Sequence, residues 1–166
     1  MHYSPAIFAL FAGMVATTAA FDGFIVPRDA ADGVYSSYLD ANSEPVHEFV
    51  APALTKDEVA ELAAREPPAT GSSPSRITAR FYDSIECAGY ELNHPDTQAA
   101  VTKLKNQCTP QGAINSGRSF WSKHGGVVAY ICNFGSSAWS CNPKDINADF
   151  QAITSKCGSY KSGWRT

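Results

Sequence analysis

The stretch "GGVVAYICNFGSSAWSCNPKDINADFQAITSKCG", Gly125 to Gly158, decides how this chain is read. Val127 to Ile131 is an apolar run of strand length, and it ends on Cys132. Small residues follow, with Phe134 and Trp139 among them, before Cys141 closes the loop. Asn142 then suits an N-cap, Pro143 the first helical position and Asp145 the positive end of the helix dipole. Ile146, Phe150, Ile153 and Cys157 fall on one face at helical spacing. Lys156 suits the last turn and Gly158 the C′ position. The stretch therefore predicts strand, cysteine-bounded loop, amphipathic helix and a final cysteine.

Upstream, "RSFWSK" (Arg118 to Lys123) and the strand just read flank His124-Gly125, with Gly126 placed to take positive φ. That predicts a β-hairpin. Further upstream, Pro95 and Asp96 open a helix carrying Val101, Leu104 and Cys108, which Thr109-Pro110-Gln111-Gly112 stops. Before it, "ITARFYDSIEC" (Ile77 to Cys87) alternates apolar and polar residues like a strand, and "AGYELNH" turns the chain. "SYKSGW" supplies a last short strand. The expected order over 77–166 is β-α-β-β-α-β: an α+β split α/β sandwich, with a four-stranded antiparallel sheet under two helices on one face.

All five cysteines lie in this half, with sequence spacings of 21, 24, 9 and 16. No C-x-x-C occurs and no histidine stands at a ligand-like offset, so a disulfide framework is expected rather than zinc. In the expected layout Cys87 and Cys157 share one end of the sheet, and Cys108, Cys132 and Cys141 gather at the other. A helix of about thirteen residues is about 20 Å long, whereas bonded cysteine Cα atoms lie within about 7 Å. That excludes Cys87–Cys108 and Cys132–Cys157. The expected bonds are Cys87–Cys157 and Cys108–Cys141, leaving Cys132 as a free thiol.

The remainder of the chain points to export. Residues 1–20, "MHYSPAIFALFAGMVATTAA", carry an apolar run of signal-peptide length followed by Thr18 and Ala20 at the −3 and −1 positions of a cleavage site. No later run is long enough to cross a membrane. Residues 21–76 hold ten of the 16 acidic and four of the 13 basic side chains, a net of −6 against +3 for residues 77–166. This acidic region contains the turn formers Asp32-Gly33 and Asp40 to Ser43. Next come a short helix with a Thr55/Glu58 capping box and the Pro/Gly/Ser linker Pro67 to Ser75. It reads as a pro-segment or a flexible N-terminal region preceding a disulfide-stabilised domain at 77–166.

The strand–loop–helix run quoted above, together with "IECAGYEL", resembles the corresponding segments of the smut-fungus killer toxins, over about Ile85 to Gly158. The resemblance implies a small, secreted, basic, disulfide-bonded split α/β sandwich that blocks calcium uptake in target cells. It carries no active residue over, because the toxins' functional lysine has no matching position here. The wider class of fungal small secreted cysteine-containing effectors is similar to the chain as a whole.

The function expected is therefore binding, with no catalysis, to an extracellular target such as a cell-wall, membrane or host protein component. Exposed loop aromatics often mark binding surfaces, which nominates Phe134, Trp139, Tyr160 and Trp164, with Lys144 and Lys161 beside them in the chain. Nucleic acid is not the expected partner, since an excess of three charges is weak. No cofactor or metal is expected. The chain is expected to be monomeric, with a disulfide dimer open to it through Cys132. The alternative is a small secreted hydrolase of ribonuclease type, with Glu86 and His124 as the general acid and base and Arg118 as the phosphate-binding arginine. No G-x-S-x-G, H-E-x-x-H or phosphate loop occurs.

Overall fold

A computed structural model describes residues 25–65 and 84–165. The expected signal peptide, the 67–75 linker and residues 77–83 of the first predicted strand lie outside the described residues. The fold is α+β. Its main sheet has four antiparallel strands in the order β2-β1-β5-β6: β1 is Gly33–Leu39, β2 Pro45–Pro52, β5 Ser119–His124 and β6 Val127–Cys132. Between these come α1 (Lys56–Arg65), β3 (Ile85–Glu91), α2 (His94–Gln111) and the two-residue β4 (Ala113–Ile114). After β6 follow β7 (Trp139–Ser140), α3 (Pro143–Cys157) and β8 (Lys161–Arg165).

The sheet is not the one expected. The element order over residues 85–165 holds, but β3 and β8 pair only with each other, while the β5–β6 hairpin pairs with β1. Two of the four main strands thus come from the acidic region that was expected to be a pro-segment or flexible arm. The reason lies in side-chain alternation. Val34 and Phe120 face the helices and join Ala100, Leu104, Val127 and Ala129 in one core. The alternate residues Phe49, Tyr35, Trp121 and Tyr130 are consecutive register partners across all four strands on the other face. Tyr35 stacks on Trp121 with ring centroids 4.2 Å apart, and Phe49 meets Tyr35 edge-on at 5.4 Å. Such cross-strand aromatic pairs are worth about 0.5–1.5 kcal/mol beyond area burial. The Trp121 indole N–H donates to Ser37 Oγ at 2.7 Å, which explains a serine buried in β1. Without β1, β5 would lose this partner and one of its two ladders.

The β1–β2 turn is closed by Asp40, whose carboxylate accepts the backbone N–H groups of Asn42 and Glu44, with Ser43 at φ 63°. α1 begins with the capping box: Glu58 N–H donates to Thr55 Oγ1, and Thr55 N–H donates to Glu58 Oε2. α2 and α3 start at Asn93 and Asn142, whose side chains accept from Asp96 N–H and Lys144 N–H. Both helices have proline in the first turn. The β5–β6 turn departs from expectation in one detail. Gly125, not Gly126, takes positive φ (53°), and a Cβ there would also overlap the Asp96 carboxylate.

Disulfides join Cys87 to Cys157 and Cys108 to Cys141, and Cys132 is free. Each bond closes a loop, of 70 and 33 residues respectively, worth about 4 kcal/mol in the chain-entropy picture. The first fastens the β3–β8 ribbon to the end of α3. Gly163 makes that approach possible, because a Cβ there would lie 2.9 Å from Cys157 Sγ and 2.8 Å from the Glu86 carbonyl. β3 also runs on past Cys87, through the segment expected to be a turn, to Glu91. No helix among the described residues is long and apolar enough to cross a membrane.

Candidate functional site

The loop that hangs Phe134 between two cysteines is held from inside by Asn133. This residue is buried, and its side-chain N–H groups donate to the Ile114 and Ser137 carbonyls at 2.8 and 2.9 Å. Its side-chain oxygen accepts the Gly135 N–H at 3.0 Å. The backbone joins in: Asn133 N–H donates to the Arg118 carbonyl and Gly117 N–H to the Asn133 carbonyl, both at 2.9 Å. Ser116 Oγ donates to the Gly135 carbonyl at 2.6 Å. β4 then pairs with β7, matching Ile114 with Trp139, and Cys141 N–H donates to the Gly112 carbonyl. Together with Cys108–Cys141, these bonds tie residues 112–118 and 133–141 into one ordered platform. Phe134 stands 61% exposed on it, a large apolar ring on an ordered backbone.

Beside the platform lies a groove of about 160 Å³ between β2, β1, β4 and the end of α2. Val50, Ile114 and Phe120 line its apolar part, and Ser36, Glu48, Arg118, Gln111 and Asn115 its polar part. Register puts Ser36 opposite both Glu48 and Phe120, so strand alternation delivers all three to one face. Arg118 donates from Nη1 to Ser36 Oγ at 3.2 Å and to Glu48 Oε2 at 3.1 Å. Its guanidinium lies 4.2 Å over the Tyr38 ring, and the Tyr38 hydroxyl donates to Glu48 Oε1 at 3.1 Å. Accepting that bond, Glu48 pushes the Tyr38 hydroxyl pKa up, so the phenol stays protonated. Arg118 is thereby fixed at both its charge and its flat face.

The six residues nominated for binding separate into two groups. Phe134, Trp139 and Lys144 lie at the N-terminal end of α3; Tyr160, Lys161 and Trp164 lie along β8 and the turn before it. Phe134 and Lys144 are exposed, whereas Trp139 is half-buried against the core. Tyr160 is occupied structurally: its ring stacks on His94 at 3.5 Å and its hydroxyl accepts from Gln98. Lys161 pairs with Glu91 at 2.6 Å, and Trp164 is 37% exposed. The trio nominated for hydrolysis is not assembled. Arg118 and His124 bracket β5 at opposite ends, with Glu48 and Asp96 as their respective partners, and Glu86 sits opposite Trp164 on the separate ribbon. His124 Nδ1 lies 3.1 Å from Asp96 Oδ1, where it ties the hairpin to the start of α2.

Burial pushes the Cys132 thiol pKa up, with the Ser119 hydroxyl opposing, so the odd cysteine is held as the less reactive thiol. Among the described residues no cluster of three His, Cys, Asp or Glu side chains could hold a metal ion. Sequence reasoning missed Asn133, Tyr38 and Glu48. The first follows a cysteine in what reads as loop, and the other two belong to a hairpin not recognised as part of the sheet. The period-two spacing of Ser36 and Tyr38 was the available signal. The chain matches no family model, no curated protein and no solved structure.

Proposed function

We infer that this is a secreted, disulfide-stabilised interaction protein of fungal effector or killer-toxin type, which binds a component at the surface of a host or competitor cell. The observation that carries this reading is Phe134: a large apolar ring, 61% exposed, on a loop fixed by Asn133 and a disulfide. Rigid aromatic anchors on ordered backbone are what binding hot spots are made of, because little entropy is lost when they dock. The element order β3-α2-β5-β6-α3-β8 is the one expected of that sandwich, although β3 and β8 pair apart from the main sheet and the β1–β2 hairpin takes their place in it. Export is supported by the N-terminal apolar run and by two disulfides. Binding is favoured over the ribonuclease alternative because Glu86, Arg118 and His124 do not share a site.

The test is retention of the labelled mature protein on intact target cells. Phe134→Ala is expected to reduce retention about thirtyfold or more, the effect of losing a hot-spot side chain worth about 2 kcal/mol, with the melting temperature unchanged. Equal retention of variant and wild type would refute the role of this loop.

A further inference from the structure

We propose that the groove beside the Phe134 platform takes a single ring of an uncharged, hydroxyl-rich saccharide. This rests on the reading of the platform as a binding surface and names what that surface holds. Size is the first constraint. The groove measures about 160 Å³ and is open on one side, on the scale of the roughly 150 Å³ cavity that accommodates a benzene ring, so it seats one six-membered ring with its substituents at the open mouth, and not a helix or strand.

Chemistry is the second constraint. The charged groups at the rim are one guanidinium and one carboxylate, Arg118 and Glu48, 3.1 Å apart. Their charges cancel. A phosphate or sulfate bound to Arg118 would lie beside the Glu48 carboxylate and be repelled by it, and a cation would meet Arg118. A hydroxyl group, which both donates and accepts, satisfies both at once. The capacity to do so is present. Guanidinium has five N–H donors, and the hydrogen bonds of Arg118 within the described residues all run through Nη1, leaving Nη2 and Nε to a ligand. Each Glu48 oxygen accepts one bond and has a second lone pair. Gln111 and Asn115, both exposed at the rim, add side-chain amides that donate and accept. Vicinal hydroxyls are the ligand pattern that such planar, two-sided groups match.

The lining is the third constraint. Val50 lines the apolar wall, and the core residues Ile114 and Phe120, only 2% and 5% exposed, close the floor, so one C–H face of a sugar ring meets an apolar base. Tyr38 and Ser36 hold Arg118 in place beforehand, so binding costs little side-chain ordering. The groove is also joined to the platform through Ile114 and Ser116, the partners of Asn133 and Gly135. A polysaccharide with one ring seated in the groove would therefore run beside the platform that carries Phe134.

The experiment titrates the full mature protein with neutral hexasaccharides of β-1,3-glucan, chitin and mannan, alongside a hexamer of polygalacturonate and a single-stranded RNA hexamer, by calorimetry and NMR. At least one neutral hexasaccharide is expected to bind with a Kd below about 1 mM. The double variant Gln111→Ala/Asn115→Ala is expected to weaken it about tenfold, with melting unchanged because neither side chain makes a hydrogen bond within the described residues. Binding of the acidic hexamer or RNA alone would overturn the proposal, as would binding by none. In either case, retention on target cells that is still lost in Phe134→Ala would show that the platform reading stands and only its ligand was misassigned. Loss of neither retention nor sugar binding in any variant would overturn both.

Discussion

Asn133 does at the scale of one side chain what a strand does along its length: it gives three backbone groups of a loop their partners. Burying an amide that makes all these bonds costs little, whereas removing it strands the Ile114 carbonyl in a dry environment. Asn133→Ala is therefore expected to destabilise the protein by about 2–3 kcal/mol in a denaturant titration. Asn133→Asp should do no better, since it replaces two donors with a charge facing two carbonyls. A loss below about 0.5 kcal/mol would mean that the loop orders itself by other means. The residue was illegible in the sequence because asparagine after a strand is commonplace in turns, and nothing local distinguishes a buried amide from a solvated one.

Among elements, legibility followed the range of the interactions that create them. α2 and α3 declare themselves through asparagine caps, first-turn prolines and acidic first turns, all local features. The β5–β6 hairpin does so through its two-residue glycine turn. The disulfide pairs were reachable from strand direction and helix length, even though the sheet assumed in reaching them was wrong. They depend on which ends of α2, α3 and β3 coincide, and not on which strands join the main sheet. The β1–β2 hairpin was only half legible: Gly33 to Leu39 shows a short alternation, but Ser36 and Ser37 interrupt its apolar face, and the Trp121 that explains Ser37 lies 84 positions away. Its membership of the sheet has a direct consequence. A chain beginning at Ile77 loses the partner strand of β5 and the acidic partners of Arg118 and Lys123. That truncated chain is expected to show no cooperative thermal transition and to lose the near-ultraviolet tryptophan signal. A monomeric truncation with the native spectrum would show that β1 and β2 are dispensable.

Across the whole molecule, the opposed charges of the two halves turn out to be internal complements. Asp32 and Glu48 from the acidic region pair with Lys123 and Arg118 from the basic one, at 3.2 and 3.1 Å. Partly exposed pairs of this kind are worth about 1 kcal/mol or less each, so they set orientation more than stability. They do make the molecule acid-sensitive. Burial tends to raise the Asp32 carboxyl pKa, but the Gly125 N–H and the Lys123 ammonium outweigh it and hold the pKa below its ordinary value. Glu58 is lowered by its bonds from Thr55, Asp40 by the Glu44 and Asn42 N–H groups, and Glu91 by Lys161. A depressed carboxylate contributes stability that is complete above its unfolded pKa, about 4, and is lost as pH falls through the lower folded value. Stability is thus expected to be level from about pH 5 to 7 and to decline below about pH 4, with a shallower decline in Asp32→Asn. An identical acid slope in that variant would remove Asp32 from the explanation.

The groove was beyond sequence reasoning for the same reason as the sheet: Glu48 and Arg118 are 70 positions apart and meet only through three strands in register. What makes this end of the molecule a candidate recognition surface is that it is ordered before any partner arrives. Hydrogen–deuterium exchange of the backbone amides reads that order directly. The amides of Gly117, Asn133, Gly135 and Cys141, all donors within the platform, are expected to be protected to a degree comparable with the β5–β6 ladder. Exchange of these four at the rate of an unstructured chain, while β5 and β6 remain protected, would contradict a preformed surface and leave Phe134 on a floppy loop.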